Sequence, residues 1–181
     1  QLFPGNEGER TLPLFLLEPY APSMAMGNAA SVSPFEALAA RYDATFTSTP
    51  LGLRLRHAVW RHLDDRFFEE SDAPRLLDLG CGTGEDAVHL AQQGAHVLAL
   101  DAAEAMTART RRKAKQSGVG PRVAARTLPV ERLDSLSGTF DGAYSNFGAL
   151  NCVEDLRTVS TGLGPRLRPK APVFLVLMGR L

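Results

Sequence analysis

Apolar residues recur at helical spacing over residues 35–67, which predicts two amphipathic helices at the start of the folded region. The first helix is predicted to begin after Ser33, with Pro34 at the first helical position. Ser33 and Glu36 together fit a capping box. The second helix follows Pro50. The stripes predicted to face the core consist of Phe35, Leu38, Tyr42 and Phe46 in the first helix and of Leu51, Leu55, Val59, Leu63 and Phe67 in the second. The polar residues that fall off the second stripe are Arg54, Arg56, Arg61 and Asp65.

From residue 76 onward, short apolar runs alternate with helical stretches. The runs predict five strands at residues 76–79, 97–100, 123–125, 140–144 and 173–178, and the stretches between them predict helices at about 84–94, 103–117 and 150–167. Parallel strands need crossover connections, which place helices on both faces of a sheet. The sequence therefore predicts an α/β fold with a doubly wound, mostly parallel sheet. In such sheets ligands bind where the strand order reverses, so the turns after the first and fourth strands are the expected site.

The turn after the first predicted strand carries three glycines at alternate positions, Gly80, Gly82 and Gly84. Glycine permits positive φ angles and lets backbone approach a ligand without a Cβ, and the helix that follows offers free N–H groups. A tight turn alone would also explain such a motif. Asp101 ends the second predicted strand about twenty residues later and offers a carboxylate suited to a ribose diol. The pair of features favours a nucleotide-type pocket.

Two classes of cofactor fit this arrangement. The segment from Gly82 to Ala87 matches the dinucleotide pattern G-x-G-x-x-A, so an NAD(P)-dependent oxidoreductase is one alternative. Asp78 weighs against it, because it places a carboxylate inside an apolar strand where dinucleotide binding requires none. The two helices that precede the first strand weigh in the same direction. A non-catalytic cofactor-binding module stays open as a third class.

Four segments resemble the class I S-adenosylmethionine-dependent methyltransferases. The first motif of that family is similar to LLDLGCGTG at residues 76–84, and its acidic-loop motif is similar to ALDAAEAM at residues 99–106. Residues 140–147 resemble the fourth strand of the family, and residues 167–172 resemble the run into its fifth. The resemblance covers about residues 34–181. It implies a Rossmann-like methyltransferase fold, S-adenosylmethionine as cofactor, and methyl transfer as the activity.

The resemblance also implies a set of cofactor-binding residues. Asp78 would help to hold the amino group of the cofactor, the glycine loop would approach its methionine part, and Asp101 would bind the ribose hydroxyls. Ala102 and Met106 would lie beside the ribose or adenine. Tyr42 is either a core residue or part of a helix that folds over the cofactor. The full set is Tyr42, Asp78, Gly80, Cys81, Gly82, Thr83, Gly84, Asp101, Ala102, Met106, Thr127, Leu128, Asn146 and Phe147.

Two departures from the family pattern limit what can be transferred. Many members carry an acidic residue shortly before a Leu-Pro pair, whereas this chain has Arg126 and Thr127 before Leu128, so Thr127 and Leu128 are candidates for backbone contact or for simple packing. The motif of nucleic-acid amino-methyltransferases is absent, and Asn146 and Phe147 stand in its place. Asn146 is expected near the transferring methyl group, and no role in proton transfer is assigned to it. No catalytic base is identified.

Composition narrows the partner and the compartment. Lys plus Arg (20) balance Asp plus Glu (20), so the chain lacks the positive field of a nucleic-acid or anionic-membrane binder, and a small-molecule acceptor is expected. Two cysteines are too few for a disulfide framework and favour the reducing cytoplasm. Cys81 is predicted to fill space in the loop and Cys152 to be a buried helical residue. No metal site is expected. His57, His62 and His89, and the basic run from Arg109 to Lys115, are expected on solvated helix faces.

The two ends of the chain carry expectations of their own. Residues 1–30 are rich in Pro, Gly and Asn, show no helical or strand period and do not begin with Met, which predicts a disordered or non-native leader before a domain at 31–181. Residues 173–178 are apolar on both faces, as in an interior parallel strand, yet only three residues follow. We therefore expect the C-terminal strands of the domain to be missing.

Overall fold

The computed structural model describes Ser33 and residues 35–179. The helices are α1 Phe35–Tyr42, α2 Pro50–Phe67, α3 Glu85–Gln93, α4 Glu104–Gln116 and α5 Leu156–Leu163, and the strands are β1 Arg75–Leu79, β2 His96–Asp101, β3 Val123–Thr127, β4 Gly142–Ser145 and β5 Val173–Leu175. A π-helical segment, Asp43–Thr47, joins α1 to α2, and 3-10 turns lie at Gly120–Arg122, Val130–Ser135, Ala149–Cys152 and Gly164–Arg166. The predicted leader at 1–30 lies outside the described residues, and so does Pro34.

The five strands form one sheet in the order β3-β2-β1-β4-β5, and every neighbouring pair is parallel. The predicted doubly wound α/β fold is therefore confirmed. The chain moves outward from β1 through β2 to β3 and then crosses back to β4, so the strand order reverses between β1 and β4. The turns after those two strands meet at that point, as the pattern of the sequence predicted.

Each face of the sheet has its own apolar core. Leu76 points into a cluster with Leu63 and Phe67 of α2 and with residues of α3 and α4. Leu77 and Leu79 point the other way, into a cluster with α5 and the 3-10 turn at Val130–Ser135. This alternation follows from the two-residue period of a strand, and it explains why β1 carries apolar residues on both faces. Asp78 shares its face with Leu76 and is buried there.

Helix α2 corrects the predicted stripe. Leu51 and Leu55 are 47% and 43% exposed, whereas Gly52 and Arg56 of the same turns are buried. Leu63 and Phe67 are buried as predicted. Positions 51 and 55 and positions 52 and 56 are each spaced so that a stripe through them can end at Leu63 and Phe67. Helical spacing alone therefore does not decide which of the two stripes is buried. Arg56 faces inward because it forms an ion pair with Asp86 of α3.

The predicted capping box of α1 is half right. The Phe35 amide donates to Ser33 Oγ over 3.4 Å, but the Glu36 carboxylate turns away and accepts from the amide of Ala105 at 3.1 Å. Glu36 thus caps α4, whose own N-cap residue is an alanine without a side-chain acceptor. The predicted stripe of α1 is also shifted, since Leu38 is exposed and Ala39 is buried.

The last third of the chain departs most from the prediction. The helix expected at 150–167 is shortened to α5 and flanked by two 3-10 turns, and the strand expected at 173–178 has three residues. Pairing continues one residue further, because the amide of Val176 donates to Ser145 O at 2.8 Å. Among the described strands β5 is one of the two edges of the sheet, opposite β3, and Val173 and Leu175 are 42% and 44% exposed. None of the described helices has the length and hydropathy needed to cross a bilayer.

Candidate functional site

The glycine loop, residues 80–84, turns sharply at the carboxyl end of β1. The amides of Gly80 and Cys81 both donate to Leu100 O, at 2.9 and 2.8 Å, which ties the loop to the end of β2. The Gly84 amide donates to Cys81 O at 3.0 Å and closes the turn before α3 begins. The loop therefore lies at the edge of the sheet where β1, β2 and β4 end together.

The three glycines of this loop serve different purposes. A Cβ at Gly80 would clash with the side chain of Ala149, and a Cβ at Gly84 would lie 2.6 Å from Thr110 Cγ2. Both positions are glycine because neighbouring protein occupies the space of a side chain. A Cβ at Gly82 would meet only Tyr42 Cε1, at 4.0 Å. Packing explains Gly80 and Gly84, and Gly82 alone presents an open face.

Asp101 holds its carboxylate beside that open face. Its Oδ2 accepts from the Gly82 amide and its Oδ1 accepts from the Ala103 amide, both at 2.9 Å. Burial raises the pKa of Asp101 above its ordinary value, while these two N–H groups act in the opposite direction. Each oxygen uses one lone pair internally, so the other remains available to a donor from outside the chain.

Asp78 lies behind the loop with an unsatisfied oxygen. The residue is 2% exposed, and its Oδ2 has no hydrogen-bond partner among the described residues. The hydroxyl of Tyr144, on β4, is likewise buried without a partner at normal hydrogen-bond geometry, but it faces Asp78 closely enough to lower the pKa of that carboxyl in part. Burial, followed by the charge of nearby Asp86, raises the pKa of Asp78 well above its ordinary value. An orphaned buried acceptor of this kind is costly unless a ligand or water satisfies it.

Three aromatic side chains from α1, the π-helical segment and the end of β4 contact one another in a row, and the first of them, Tyr42, approaches the loop. The ring of Phe46 lies 5.8 Å from that of Tyr42 and 5.1 Å, edge to face, from that of Phe147. Tyr42 is half-buried, and burial raises the pKa of its hydroxyl. Tyr42 therefore packs against protein, and its ring edge borders the open side of Gly82; its role over the cofactor stays a prediction.

Asn146 and Phe147 form a strained corner after β4. Phe147 adopts a φ of +52°, which is uncommon for a residue with a side chain. Asn146 stabilises this conformation, because its Oδ1 accepts from the Phe147 amide at 2.9 Å. The Asn146 amide group donates to Asp86 Oδ2 at 3.0 Å. Both polar ends of the Asn146 side chain are thus engaged within the protein.

A buried polar network behind the site was missed by the sequence analysis. Asp86 Oδ1 accepts from Arg56 Nη1 at 2.6 Å and from Trp60 Nε1 at 2.7 Å. The Arg56 guanidinium lies 4.5 Å from the centroid of the Phe147 ring, and its Nε has no partner among the described residues. An acidic residue on the inward face of α3 was the available signal, since a buried carboxylate requires donors. The network ties α2 and α3 to the end of β4.

The remaining predicted site residues divide between the loop and the packing around it. Thr83 is buried, and its hydroxyl donates to Asp43 Oδ1 at 2.5 Å. Cys81 Sγ lies 3.5 Å from Thr110 Oγ1, and burial together with the nearby charge of Asp78 raises the pKa of the thiol. Ala102 is exposed beside Asp101. Met106 is buried against Ala39 and Ala103. The hydroxyl of Thr127 lies 2.8 Å from that of Thr107, and the amide of Leu128 donates to Asp101 O.

Three side chains correct the sequence analysis. Cys152 is exposed on a 3-10 turn rather than buried in a helix. His89 is not a solvated side chain, because it stacks on Trp60 with ring centroids 3.9 Å apart and its Nε2 lies 2.8 Å from Asp64 Oδ1. Lys113 is partly buried and ion-paired. No group of three potential metal-ligating side chains occurs among the described residues.

The class I S-adenosylmethionine-dependent methyltransferase fold is defined by three features present here. They are the parallel sheet of order β3-β2-β1-β4-β5, the glycine loop after β1 and the fixed carboxylate after β2. Residues 76–170 match the family model described as "Methyltransferase domain". The chain belongs to that family.

Curated relatives and solved structures agree with this assignment. Over 140 residues the chain is 32% identical to a demethylmenaquinone methyltransferase of Mycolicibacterium gilvum, an alignment that covers 77% of the chain and 55% of the relative. It is 32% identical over 159 residues to a ubiquinone biosynthesis O-methyltransferase of Sinorhizobium medicae, with 82% and 63% covered. A structure described as a DhpI–SAH complex superposes with a TM-score of 0.65 at 25% identity, over 80% of the chain and 66% of the other. The chain spans about half the length of the first of these relatives.

Proposed function

We propose that this chain transfers a methyl group from S-adenosylmethionine to a small-molecule acceptor. One observation carries the proposal: Gly82 has an open face beside the fixed carboxylate of Asp101, whereas neighbouring protein accounts for the other two glycines of the loop. The positive φ of Gly82 favours glycine by itself, so the open face supports the proposal through its position beside the Asp101 carboxylate. Family membership and the similarity to the structure described as an SAH complex support the same cofactor.

The residues present fit the two ends of such a cofactor. Asp101 would accept hydrogen bonds from the ribose hydroxyls through the lone pairs that its backbone donors leave free. The orphaned Oδ2 of Asp78 would accept from the amino group of the methionine part. Ala102 and Met106 are proposed beside the ribose or adenine, and Thr127 and Leu128 as contacts at the neighbouring strand end. The loop residues Gly80, Cys81, Gly82, Thr83 and Gly84 complete the cradle.

The chemistry requires little from the protein beyond placement. The sulfonium of S-adenosylmethionine supplies an activated methyl group, so no nucleophile on the enzyme is needed. The aromatic side chains of Tyr42, Phe46 and Phe147 exclude water from the cleft, and Asn146 holds Phe147 in place. Orientation and a dry environment are then the main contributions of this chain to the rate.

The acceptor is proposed to be small and uncharged. Charge balance over the chain gives no attraction for nucleic acid, and two of the relatives are named for steps in quinone biosynthesis. Quinone precursors therefore belong in the acceptor panel.

We also propose a cytoplasmic location, since Cys81 and Cys152 are both free thiols.

Calorimetric titration with S-adenosylmethionine, S-adenosylhomocysteine and NAD tests the proposal. We expect both adenosyl compounds to bind and NAD to give no heat. The Asp101→Ala variant checks the site, because loss of its acceptors should weaken binding by about ten- to a hundred-fold, or about 1.5–3 kcal/mol. NAD affinity without any response to the adenosyl compounds would favour an oxidoreductase. Binding without turnover over a broad acceptor panel would favour a non-catalytic module.

A further inference from the structure

Four polar side chains meet where the connection between α1 and α2 crosses the glycine loop. Lys113 Nζ, from α4, lies 2.6 Å from Glu85 Oε1, 3.2 Å from Asp43 Oδ2 and 3.3 Å from Thr83 Oγ1. The second oxygen of Asp43 accepts from the Thr83 hydroxyl at 2.5 Å. We name this group, Asp43, Thr83, Glu85 and Lys113, the Lys113 clasp.

The clasp is better shielded than an ordinary surface ion pair. The side chains of Lys113, Glu85 and Asp43 are 20%, 28% and 29% exposed. Partly buried pairs are screened less by salt than exposed pairs, which contribute little to stability. Burial by itself raises the pKa of Asp43, but the hydrogen bond from Thr83 and the charge of Lys113 outweigh it and hold the pKa below its ordinary value. The carboxylate is therefore ionised at neutral pH, and the ion pair is intact.

The clasp joins the covering segment to the floor of the site. Asp43 directly follows Tyr42, whose ring edge faces the open side of Gly82, and it begins the π-helical segment that carries Phe46. Thr83 and Glu85 belong to the loop and to the first turn of α3. π-helical turns inside helical regions are often found at functional sites. A fastening at Asp43 thus fixes the position of Tyr42 above Gly82.

We propose that Lys113 and Asp43 are positioning residues that hold Tyr42 and the π-helical segment over the bound cofactor and so slow its release. The inference rests on the proposed function, because it names how the same site retains its ligand. Lys113 acts through Asp43 and Tyr42. Arg109 of the same helix also reaches α1, by donating to Ala40 O at 3.1 Å, but among the described basic residues of α4 it is Lys113 that pairs with Asp43.

The first test measures the dissociation rate of S-adenosylhomocysteine by stopped flow. We expect Lys113→Met to release the ligand about tenfold faster, which corresponds to about 1.4 kcal/mol. Lys113→Arg keeps the charge and should restore most of the wild-type rate. Lys115→Met is the matched control, because Lys115 is exposed on the same helix and forms no ion pair among the described residues. Asp43→Asn, which keeps a partner for Thr83 but removes the charge, should behave as Lys113→Met and serves if that variant fails to fold.

The second test needs no ligand. Hydrogen–deuterium exchange of the unliganded protein should show faster exchange of the amides of residues 42–47 in Lys113→Met, with β1 and α5 unchanged. Two results would overturn the proposal. One is a folded Lys113→Met variant with wild-type amide exchange and wild-type release of S-adenosylhomocysteine, and the other is an equal effect of Lys115→Met. If wild-type protein binds no S-adenosylhomocysteine, the proposed function fails, and the exchange experiment still decides whether the clasp fastens the segment.

Discussion

At the residue scale, Gly82 differs from Gly80 and Gly84 because no neighbouring atom closely approaches the position of its Cβ, and we propose that the cofactor lies there. Its substitution by valine fills the open face beside Asp101, so we expect S-adenosylhomocysteine affinity to fall at least about tenfold by titration calorimetry. Gly82 has a φ of +52°, so any side chain there also adds backbone strain of about 1–3 kcal/mol.

Gly118→Val controls for that strain. Gly118 has a φ of +74°, and nothing lies within 4 Å of the position of its Cβ. Both variants should lose similar stability in chemical denaturation, and only Gly82→Val should lose affinity. Wild-type affinity in folded Gly82→Val would mean that this glycine serves the turn alone.

Asp78 should exchange stability for binding. Its pKa is raised in the folded state, chiefly by burial, so unfolding becomes easier as the pH rises above the unfolded-state value near about 4. Asp78→Asn removes that penalty, and we expect the variant to be about 1–3 kcal/mol more stable at pH 7 and to bind the cofactor more weakly. Thermal unfolding between pH 4 and 8 measures the gain, which should shrink toward the acid end.

The control for this variant is Asp65→Asn, which removes an exposed carboxylate from α2. It should leave the melting temperature nearly unchanged at every pH. A less stable Asp78→Asn protein at pH 7 would contradict the prediction and would indicate that the carboxylate is satisfied within the fold.

At the scale of elements, α2 is attached to the rest of the domain by charge as well as by apolar contact. Arg56 is 5% exposed and ion-paired with Asp86 of α3, and the ring of Phe147 lies against its guanidinium. We expect Arg56→Met to reduce the free energy of unfolding by about 3–5 kcal/mol, because Asp86 is left buried without its cation. Urea denaturation followed by circular dichroism measures the loss.

The matched variant is Arg54→Met on the exposed face of the same helix. Its effect should lie within about 0.5 kcal/mol, as for most surface substitutions. Equal effects of the two variants would show that Arg56 contributes through its position on the helix and not through Asp86.

The same helix explains why periodicity located the element but not its orientation. Leu51 and Leu55 gave the more apolar stripe, yet Gly52 and Arg56 face inward. The backbone of Phe46 lies against Gly52, where a Cβ would collide with the Phe46 carbonyl, so close approach selects that face. Helical spacing compares only residues of the same helix. Which face of α2 is buried depends on contacts with α3 and with the π-helical segment.

At the scale of the whole molecule, the edge of the sheet at β5 carries the next prediction. Val173 and Leu175 expose apolar surface on a strand that, among the described residues, has no neighbour on its outer side. Unpaired strand edges of this kind pair with other chains. We expect the 181-residue chain to self-associate with rising concentration in sedimentation velocity, and Leu175→Lys to reduce it.

Leu156→Lys is the control, since Leu156 is 47% exposed at the start of α5, away from the strand edge. Self-association should persist in this variant. A monodisperse wild-type chain at all concentrations would contradict the prediction.

By itself, the sequence determined the α/β class, the number of strands, the position of the glycine loop and the pairing of that loop with Asp101. These features are local, because strand periodicity, a turn that requires glycine and an acidic strand end are written into neighbouring residues. Only the tertiary structure decided that Gly82 is the open glycine, that Glu36 caps α4, that Arg56 is buried and that Lys113 fastens Asp43. The last three depend on a partner between 30 and 70 positions away, and no local pattern records which distant group will lie beside them in the fold.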